Sequence, residues 1–474
     1  MSSDFKREIY LLRPKQLSPE TIAVTFAKTS RSPLSFREIA SELSDEKSSE
    51  FHEKWVVGYG HASVAEHAVL HIAFENVSRL AIECIESNRL ASYTEKSTRY
   101  QKWDAKGYYV PEEVRGSQYE STYLETCDTL FSAYQESLGP VKAVVQAANP
   151  RRDGESDARW DGRIRSEYVD ACRFLLPAAA LANVGMTANA RSFEHAIRKM
   201  LSHPLEEVRS IGQQVKSVAQ EETPTLVKYA EKVPYRIEAE QEFERIAEGL
   251  KVQGAGNMLE LLAYDPDAEQ RVLAAAIYEQ SGAPFTQALA HVRALSSAGR
   301  ESLANALLDG MERFDAPLRS LEHAVYTFDS LMDQGAYFEL KRHRMMTQTP
   351  QRLRGDLGYA VPRKIVTAGF EAKYREVMEQ ASRAYAELAR WNPHIAAYLV
   401  PNGFNRRVLM TLNLREVFHF CELRAEANAH FSIRRIALRM AEVVQSVHPL
   451  LGTYLRMPEG ETWEQVEEEH FAQV

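Results

Sequence analysis

The sequence predicts an α+β fold made of two tandem units, and three observations support this prediction. Residues 66–74 alternate between two sets of side chains, which is the period of a β-strand with two different faces. Residues 205–221 and 430–447 place apolar side chains three and four positions apart, as amphipathic helices do. A set of three sequence landmarks also occurs twice in the same order. The mixture of periods indicates α+β, and the repetition indicates duplication.

The three landmarks are a short apolar motif, a polar segment that contains arginine, and a pattern that ends in histidine. The first motif reads Glu-His-Ala-Val, and the third pattern reads Asn-x-Arg-x-x-x-His. In chain order they occupy residues 66–69, 87–100 and 189–195, and then residues 322–325, 342–355 and 413–419. Because all three recur in one order, we expect two units that arose by duplication.

The boundary between the units is predicted near residue 235. Pro224 and Pro234 interrupt the helical periodicity there, and proline is unfavourable inside a helix. The predicted units are therefore residues 1–235 and 236–474. Residues 240–310 should form a helix-rich first part of the second unit.

Length, charge and cysteine content limit the classes of protein to consider. The chain has 474 residues and 45% hydrophobic content, enough for two domains that each bury a core. Its net charge of −9 argues against nucleic acid as a partner. The four cysteines show neither CxxC pairs nor metal-ligand spacing, so we expect no metal site and a reducing, cytoplasmic setting. No stretch approaches the roughly 18 uninterrupted apolar residues of a membrane span, so no membrane association is expected.

The arginine-bearing segments resemble the signature of the flavin-dependent thymidylate synthases, which is Arg-His-Arg followed by seven residues and a serine. The signature is divided between the two halves. The first half lacks the triplet and holds the later part of the motif: Glu95, Ser97, Thr98 and Arg99. The second half holds the triplet and lacks the later part: Arg342, His343 and Arg344, then Pro350 in place of glutamate and Arg352 in place of serine.

The regions downstream are divided in the same way. Arg173 matches an arginine that the family uses for the nucleotide phosphate, and its counterpart in the second half is Ala397. Arg424 matches the arginine that the family places against the pyrimidine ring, and its counterpart in the first half is Met200. The family builds its sites between the subunits of a tetramer. The resemblance therefore implies one composite site, with phosphate residues from the first half and ring residues from the second.

The resemblance implies a nucleotide site for deoxyuridine monophosphate and names its residues. Substrate contacts are expected from Glu95, Ser97, Thr98, Arg99, Arg173, Arg342 and Glu339. Arg424 is the expected catalytic residue, since it would stabilise negative charge as the ring becomes nucleophilic at C5. Planar guanidinium groups such as those of Arg99 and Arg173 suit a phosphate dianion. Glu339 stands where the family has glutamine, and its charge would repel O4 of uracil unless the carboxyl group were protonated.

The resemblance also implies FAD as the cofactor, with NADPH and methylenetetrahydrofolate as co-substrates. The expected FAD contacts in the second half are Arg342, His343, Arg344, Asn413, Arg415 and His419, and those in the first half are Ser63, Glu95, Asn189, Arg191 and His195. Each unit is expected to be an antiparallel sheet packed with long helices. Two tandem units would mimic half of the family's tetramer, so we expect a homodimer.

Other interpretations stay open at this level. The acceptor would be another uracil nucleotide, or the chain would be a degenerate paralogue that binds nucleotide or flavin without turnover. The basic segment 341–355 would be a solvated face or an RNA-contacting patch. His67 and His323 are interpreted as histidines of apolar strands, bonded to backbone. The first-half residues Asn189, Arg191 and His195 would be either flavin ligands or a relic. A Rossmann dehydrogenase is disfavoured because the sequence has no G-x-G-x-x-G loop.

Overall fold

The computed structural model describes residues 16–29, 32–58, 62–97, 99, 101–103, 105–250 and 256–474. In chain order the α-helices are α1 (Pro19–Thr29), α2 (Phe36–Glu42), α3 (Asp45–His52), α4 (Arg79–Glu86), α5 (Glu120–Ala148), α6 (Asp157–Cys172), α7 (Ala190–Leu201), α8 (Glu206–Glu222), α9 (Pro234–Ala247), α10 (Ala268–Gln280), α11 (Phe285–Ala294), α12 (Ser297–Leu308), α13 (Gln334–Leu340), α14 (Arg363–Thr367), α15 (Glu371–Ala389), α16 (Pro393–Ala396), α17 (Leu414–Arg424), α18 (Phe431–Val447), α19 (Pro449–Gly452) and α20 (Trp463–His470).

The strands are β1 (Val69–Ser78), β2 (Ala91–Glu95), β3 (Leu181–Asn189), β4 (Leu259–Tyr264), β5 (Val325–Asp333), β6 (Thr347–Pro350), β7 (Val361–Pro362), β8 (Asn405–Asn413) and β9 (Phe471–Gln473). Short 3-10 segments occupy Ala62–His67, Arg173–Leu175, Arg319–His323 and Ala397–Leu399. Helices and separate antiparallel sheets confirm the predicted α+β class. No helix among the described residues is both long and apolar enough to cross a membrane.

The chain divides into two compact units, and each unit is made from two segments. Unit 1 comprises Met1–Lys96 and Leu181–Lys251, and unit 2 comprises Ser97–Ala180 and Val252–Val474. The segment from Ser97 to Ala180 thus belongs to the same unit as the second half of the sequence, because α5 packs against α15. The division into predicted units 1–235 and 236–474 stays a prediction.

Unit 1 contains a three-stranded antiparallel sheet in the order β1-β3-β2. Val69 pairs with Asn189 at one end, and Ser92 pairs with Thr187 on the other side of β3. Along β1, Leu70 and Phe74 are buried while Val69 is exposed. The predicted two-faced strand is therefore confirmed from residue 69 onward.

Unit 2 contains a four-stranded antiparallel sheet in the order β4-β5-β8-β6. Val325 pairs with Asn413, and Thr347 pairs with Thr411. Three of its strands therefore have the same order as the three strands of unit 1. Their register is also the same until the bulge after Phe74 in β1, which β5 lacks. The added edge strand β4 was not predicted, since residues 240–310 were expected to be helical.

Each central strand ends in an asparagine that caps the next helix. The side-chain oxygen of Asn189 accepts a hydrogen bond from the backbone N–H of Ser192 (2.9 Å), and Asn413 accepts one from Glu416 (2.9 Å). Asparagine is among the preferred N-cap residues because it satisfies an N–H that has no partner inside the helix. The third landmark is thus first of all a strand-to-helix turn.

Two matching segments of unit 2 pair with each other about a local two-fold axis. An antiparallel bridge joins Pro177 to Pro401. The N–H of Ala178 donates to the carbonyl of Val400 (3.0 Å), and the N–H of Asn402 donates to the carbonyl of Leu176 (3.0 Å). These hydrogen bonds are equivalent under exchange of the two segments, and they fix the 3-10 segment that begins at Arg173.

The helices predicted at 205–221 and 430–447 are confirmed as α8 and α18, which differ from those bounds by one residue. The placement of His67 and His323 on strands was wrong. Both residues end 3-10 segments, and the strands begin two residues later at Val69 and Val325. The alternating pattern continued through the turn, so the pattern alone did not show where the strand starts.

The cap at Asn413 gives a stability prediction. Asn413→Ala should lower the free energy of unfolding by about 1 kcal/mol, because the N–H of Glu416 loses its partner. Asn413→Asp should retain most of the stability, since a carboxylate also accepts this bond and interacts well with a helix N-terminus. Urea unfolding of the three proteins measures this. An unfolding midpoint of the alanine variant equal to that of the wild type would contradict the capping role.

Candidate functional site

Unit 2 gathers four arginines around two buried carboxylates. We call Arg99, Arg173, Arg342 and Arg424 the arginine cluster; its carboxylates are Asp170 and Glu339. Asp170 lies in the last turn of α6, and Arg173 begins the 3-10 segment that follows. Glu339 lies in α13, in which every residue is buried, and Arg424 ends α17. The site thus combines residues from the first and second halves of the sequence within one unit.

Asp170 holds the first two arginines of the cluster together. The guanidinium of Arg99 donates to both oxygens of Asp170, with Nε at 3.1 and 2.9 Å and Nη2 at 2.9 Å. Nε of Arg173 lies 3.6 Å from Asp170 Oδ1, and Nη2 of Arg173 donates to the carbonyl of Gly335 (3.4 Å). Burial holds the pKa of Asp170 above its ordinary value, although the charges of Arg173 and Arg99 act in the opposite direction. Both carboxylate oxygens accept from guanidinium N–H groups, which is the geometry of an ionised carboxylate.

The close approach at Gly335 has a steric cause. A Cβ atom at this position would lie 2.9 Å from the ring of Phe174, which immediately follows Arg173. Only glycine lets the start of α13 pass this close to the segment that carries Arg173. The packing therefore places the carbonyl of Gly335 where the buried guanidinium needs an acceptor.

Arg424 is held from two sides. Its Nη1 forms an ion pair with Glu339 Oε2, and its Nε donates to Nε2 of His343 (2.9 Å). Because that ring nitrogen accepts, the proton of His343 is on Nδ1, which donates to Glu416 Oε1 (3.1 Å). Burial, followed by the charge of Arg424, lowers the pKa of His343 to about 2. The imidazole is therefore neutral over the physiological pH range.

Glu339 remains ionised despite its burial. Burial raises the pKa of Glu339, but the surrounding guanidinium groups outweigh this effect and hold the pKa below its ordinary value. The contributing charges are those of Arg424, Arg342, Arg173 and Arg99, in decreasing order. All four cluster arginines thus act on one carboxylate. The burial of Glu339 therefore does not require a protonated carboxyl group.

Two of the remaining predicted nucleotide residues, Ser97 and Glu95, have partners outside the arginine–carboxylate contacts just described. Ser97 accepts a hydrogen bond from the backbone N–H of Arg99 (3.2 Å), so its hydroxyl group shapes the turn that carries Arg99. Glu95 belongs to unit 1, where it forms a buried ion pair with Arg79 (2.8 Å). Thr98 lies outside the described residues.

The predicted flavin residues of the second half partly share a cleft in unit 2. The cleft encloses about 750 Å³, and Asn413, Arg415 and His419 contribute to its wall. Phe314 is 92% exposed and Met345 is 75% exposed in the same wall. Side chains this apolar and this exposed suit the faces of a flat heterocycle. The residues therefore fit the ring system of a flavin.

Two of these residues also have internal partners. Arg415 donates to the carbonyl of Pro317 (2.8 Å) and forms an ion pair with Glu322 (2.9 Å). The side-chain oxygen of Asn413 accepts the helix-cap hydrogen bond from the N–H of Glu416. His343, predicted to contact flavin, is instead buried between Arg424 and Glu416. Arg344 follows it in the same turn.

Unit 1 repeats the local geometry of these residues. Arg191 forms an ion pair with Glu66, as Arg415 does with Glu322. The two glutamates open the Glu-His-Ala-Val landmarks, so each landmark pairs with the arginine of the third landmark in its own half. His195 and Ser63 are exposed. Burial lowers the pKa of His195, as do the nearby charges of Lys199, Arg236 and Arg198.

The positions of unit 1 that match Glu339, His343 and Arg424 hold no charged side chain. Cys84, Asn88 and Met200 stand where unit 2 has Glu339, His343 and Arg424, and all three are buried. The ammonium group of Lys199 donates to Ser87 Oγ (2.5 Å) and Asn88 Oδ1 (2.8 Å). The ammonium group of Lys199 is therefore bound to neighbouring side chains. Among the residues that the structure describes, no group of His, Cys, Asp and Glu is placed to hold a metal ion.

Two functional residues were not found from the sequence. Asp170 stands three residues before Arg173, a spacing that places an acid and a base on one helix face. Glu416 stands one residue after Arg415 inside the third landmark. Both are ordinary acidic residues in amphipathic segments, and only packing shows that they are buried next to cations.

Comparison with known proteins relates the chain to one family. The model of the family described as thymidylate synthase complementing protein matches residues 14–225 and 260–450. A UPF0159 protein of Chlamydia muridarum is 32% identical over 434 residues, which cover 88% of this chain and 82% of the relative. A UPF0159 protein of Thermoplasma acidophilum is 29% identical and covers 88% of this chain and 90% of the relative. A flavin-dependent thymidylate synthase of Clostridium tetani is 27% identical over 216 residues, which cover 45% of this chain and 82% of that enzyme.

The neutral state of His343 predicts a pH dependence of stability. Its folded pKa of about 2 lies below the ordinary value of 6.5, so its contribution is present above pH 6.5 and is lost as the pH falls toward 2. The loss approaches about 1.4 kcal/mol per pH unit well below pH 6.5. In His343→Gln, the free energy of unfolding should decline less steeply between pH 6.5 and 4.5. Urea unfolding at several pH values measures both slopes, and parallel curves for the two proteins would contradict the assignment.

Proposed function

We propose, from the premise that this chain belongs to the thymidylate synthase complementing protein family, that it is a flavin-dependent enzyme acting on a pyrimidine deoxynucleoside monophosphate. The reaction is reductive methylation at C5, and deoxyuridylate is the first candidate substrate because thymidylate would be the product. Methylenetetrahydrofolate would supply the one-carbon unit and NADPH the electrons. The observation that carries this proposal is the arginine cluster within one compact unit.

The charge of the cluster matches a phosphate dianion. Four guanidinium groups and two carboxylates leave a surplus of two positive charges. Arg173 and the two carboxylates are buried, Arg99 and Arg424 are half-buried, and Arg342 is exposed. Arg99 retains 16% of its side-chain exposure and Arg173 only 2%. Arg99 is therefore the more accessible of the two arginines. Its Nη1 also donates to the carbonyl of Asn428 (3.0 Å), so Arg99 would meet the phosphate with its remaining N–H groups, and Arg173 and Asp170 would fix its orientation. A buried cationic pair of this kind favours a doubly charged anion over a neutral ligand.

Arg424 is positioned for the ring. Its Nε is bound to His343 and one terminal nitrogen is bound to Glu339, so the guanidinium has a fixed plane. Preorganised donors of this kind stabilise negative charge that develops during a reaction. Burial raises the pKa of all four cysteine thiols, which disfavours a thiolate nucleophile. Activation of the ring by a cation is thus the mechanism that these residues support.

The cleft near Arg415 and His419 is the proposed flavin site. When bound, FAD would supply the redox chemistry of the methyl transfer. His419 is exposed in the cleft wall, and Arg415 is partly exposed beside it, so both would donate to the carbonyl edge of the ring. Phe314 and Met345 would cover its apolar face and exclude water.

The divided motif supports a tandem origin with one complete nucleotide site. The Clostridium tetani enzyme is matched over 82% of its length by 45% of this chain, so about half of the chain corresponds to one such enzyme. The two sheets share strand order and, until the bulge after Phe74, register, and the cluster arginines come from both halves. We propose that the site forms within one chain and that the chain assembles as a homodimer.

A degenerate paralogue that binds nucleotide without turnover is the second candidate. The observation that favours it is the ion pair between Arg424 and Glu339, because the carboxylate partly neutralises the arginine that would stabilise the ring. The two candidates agree on the phosphate site and differ on turnover.

Release of tritium from C5-labelled nucleotide, with methylenetetrahydrofolate and reduced flavin, tests the proposal. Arg99→Ala should weaken nucleotide binding by about 2–5 kcal/mol, and Arg424→Ala should mainly reduce turnover. Mixing the two variant chains should not restore activity, since both arginines belong to the same unit of one chain. Arg354→Ala is the matched control, because Arg354 is the counterpart of Arg99 and is paired with Asp356. Either single cluster variant at the wild-type rate would contradict the proposal, and recovery on mixing would place the site between chains.

A further inference from the structure

The residue next to Arg424 has an unusual chemical character for a uracil site. Glu339 retains only 6% of its side-chain exposure and contacts the guanidinium that is proposed to face the ring. An ionised carboxylate is an acceptor with no donor, whereas an amide at the same position would offer both. A base whose polar edge lay against Glu339 would therefore have to present an N–H group to it.

The two pyrimidine bases differ at this edge. Uracil has a carbonyl oxygen at C4, while cytosine has an amino group there. A carboxylate accepts from the N4 amino group of cytosine, which is the usual way in which glutamate recognises this base. Opposite O4 of uracil, two acceptors would face each other without a proton between them, at a cost typical of an unpaired buried polar group.

The neighbouring arginine complements cytosine as well. Guanidinium groups only donate, and cytosine offers two acceptors, N3 and O2, beside its amino group. Glu339 and Arg424 stand side by side as acceptor and donor. Their order therefore matches the amino group followed by the ring acceptors of a cytosine edge.

The charge balance points in the same direction. The cluster has two surplus positive charges, and a phosphate dianion uses both. The charge of Arg424, which is proposed to face the ring, is already balanced in part by its ion pair with Glu339, so the pair favours a base edge that offers a donor to the carboxylate. Burial opposes the ionisation of Glu339, but the four arginines hold its pKa below the ordinary value, so Glu339 stays an acceptor at neutral pH.

We propose that this site selects a deoxynucleoside monophosphate whose base carries an amino group at C4, deoxycytidylate in preference to deoxyuridylate, and that Glu339 is the residue that selects it. The inference rests on the proposed function for the phosphate grip and replaces its first candidate base. It concerns binding, and the chemical step at C5 is not altered by it.

Isothermal titration calorimetry on the full-length protein at neutral pH, with deoxycytidylate and deoxyuridylate, tests the inference. Wild-type protein should bind deoxycytidylate about 10- to 100-fold more tightly, the range that one well-placed base contact provides. Glu339→Gln should remove or reverse this ratio, because an amide donates to O4 of uracil. Glu207→Gln is the matched control: it changes a buried carboxylate of unit 1 that is bonded to Ser78, and it should leave the ratio unchanged.

A third nucleotide keeps the test independent of the variant's folding. The monophosphate of a pyrimidin-2-one deoxynucleoside has hydrogen at C4, and it should bind wild-type protein about 10-fold or more weakly than deoxycytidylate. Tighter or equal binding of deoxyuridylate by wild-type protein would overturn the base assignment alone. If neither nucleotide bound, or if Arg99→Ala bound both as well as wild type, the proposed function itself would fail.

Discussion

The site in unit 2 depends on two buried carboxylates that keep four arginines close together. Like charges at this density repel each other, and a guanidinium as buried as that of Arg173 is stable only beside a partner. Asp170 joins Arg99 to Arg173, and Glu339 binds Arg424 within reach of Arg342. Without Asp170 and Glu339, no negative charge within the cluster would offset the positive charges of its arginines. With them it retains a positive excess suited to a doubly charged ligand.

The backbone brings the halves of the sequence together for this purpose. The segments around Pro177 and Pro401 pair as equivalent partners, and each follows a 3-10 turn. One turn begins with Arg173 and the other with Ala397. Of two turns with equivalent backbone geometry, only the first therefore begins with a charged side chain. This difference explains how a symmetric contact can support a single functional site.

The sequence was most informative where a residue's chemistry is independent of its surroundings. Arg99, Arg173, Arg342 and Arg424 were identified from motif fragments, and all four act on Glu339. The class of the fold and helices α8 and α18 also followed from periodicity. These features depend on local spacing and residue type.

What the sequence did not reveal depends on long-range packing. The inclusion of Ser97–Ala180 in unit 2 depends on α5 packing against α15, and no local pattern encodes that contact. Asp170 and Glu416 have the appearance of surface acids until their neighbours in space are known. His343 matched a flavin motif, yet its ring bonds to Arg424 and Glu416. Strand β4 was missed because its apolar run, Leu-Glu-Leu-Leu-Ala-Tyr, does not alternate strictly.

The number of nucleotide sites per chain tests the central claim most directly. A chain that keeps one composite site should bind one pyrimidine deoxynucleoside monophosphate per chain in calorimetry, and Arg173→Ala should weaken that binding because Arg173 helps to orient Arg99. In unit 1 the positions that match Glu339 and Arg424 are Cys84 and Met200, and Lys199 is bonded to Ser87 and Asn88, so no second nucleotide is expected there. Two equivalent nucleotides per chain, or one nucleotide whose affinity is unchanged in Arg173→Ala, would contradict the account.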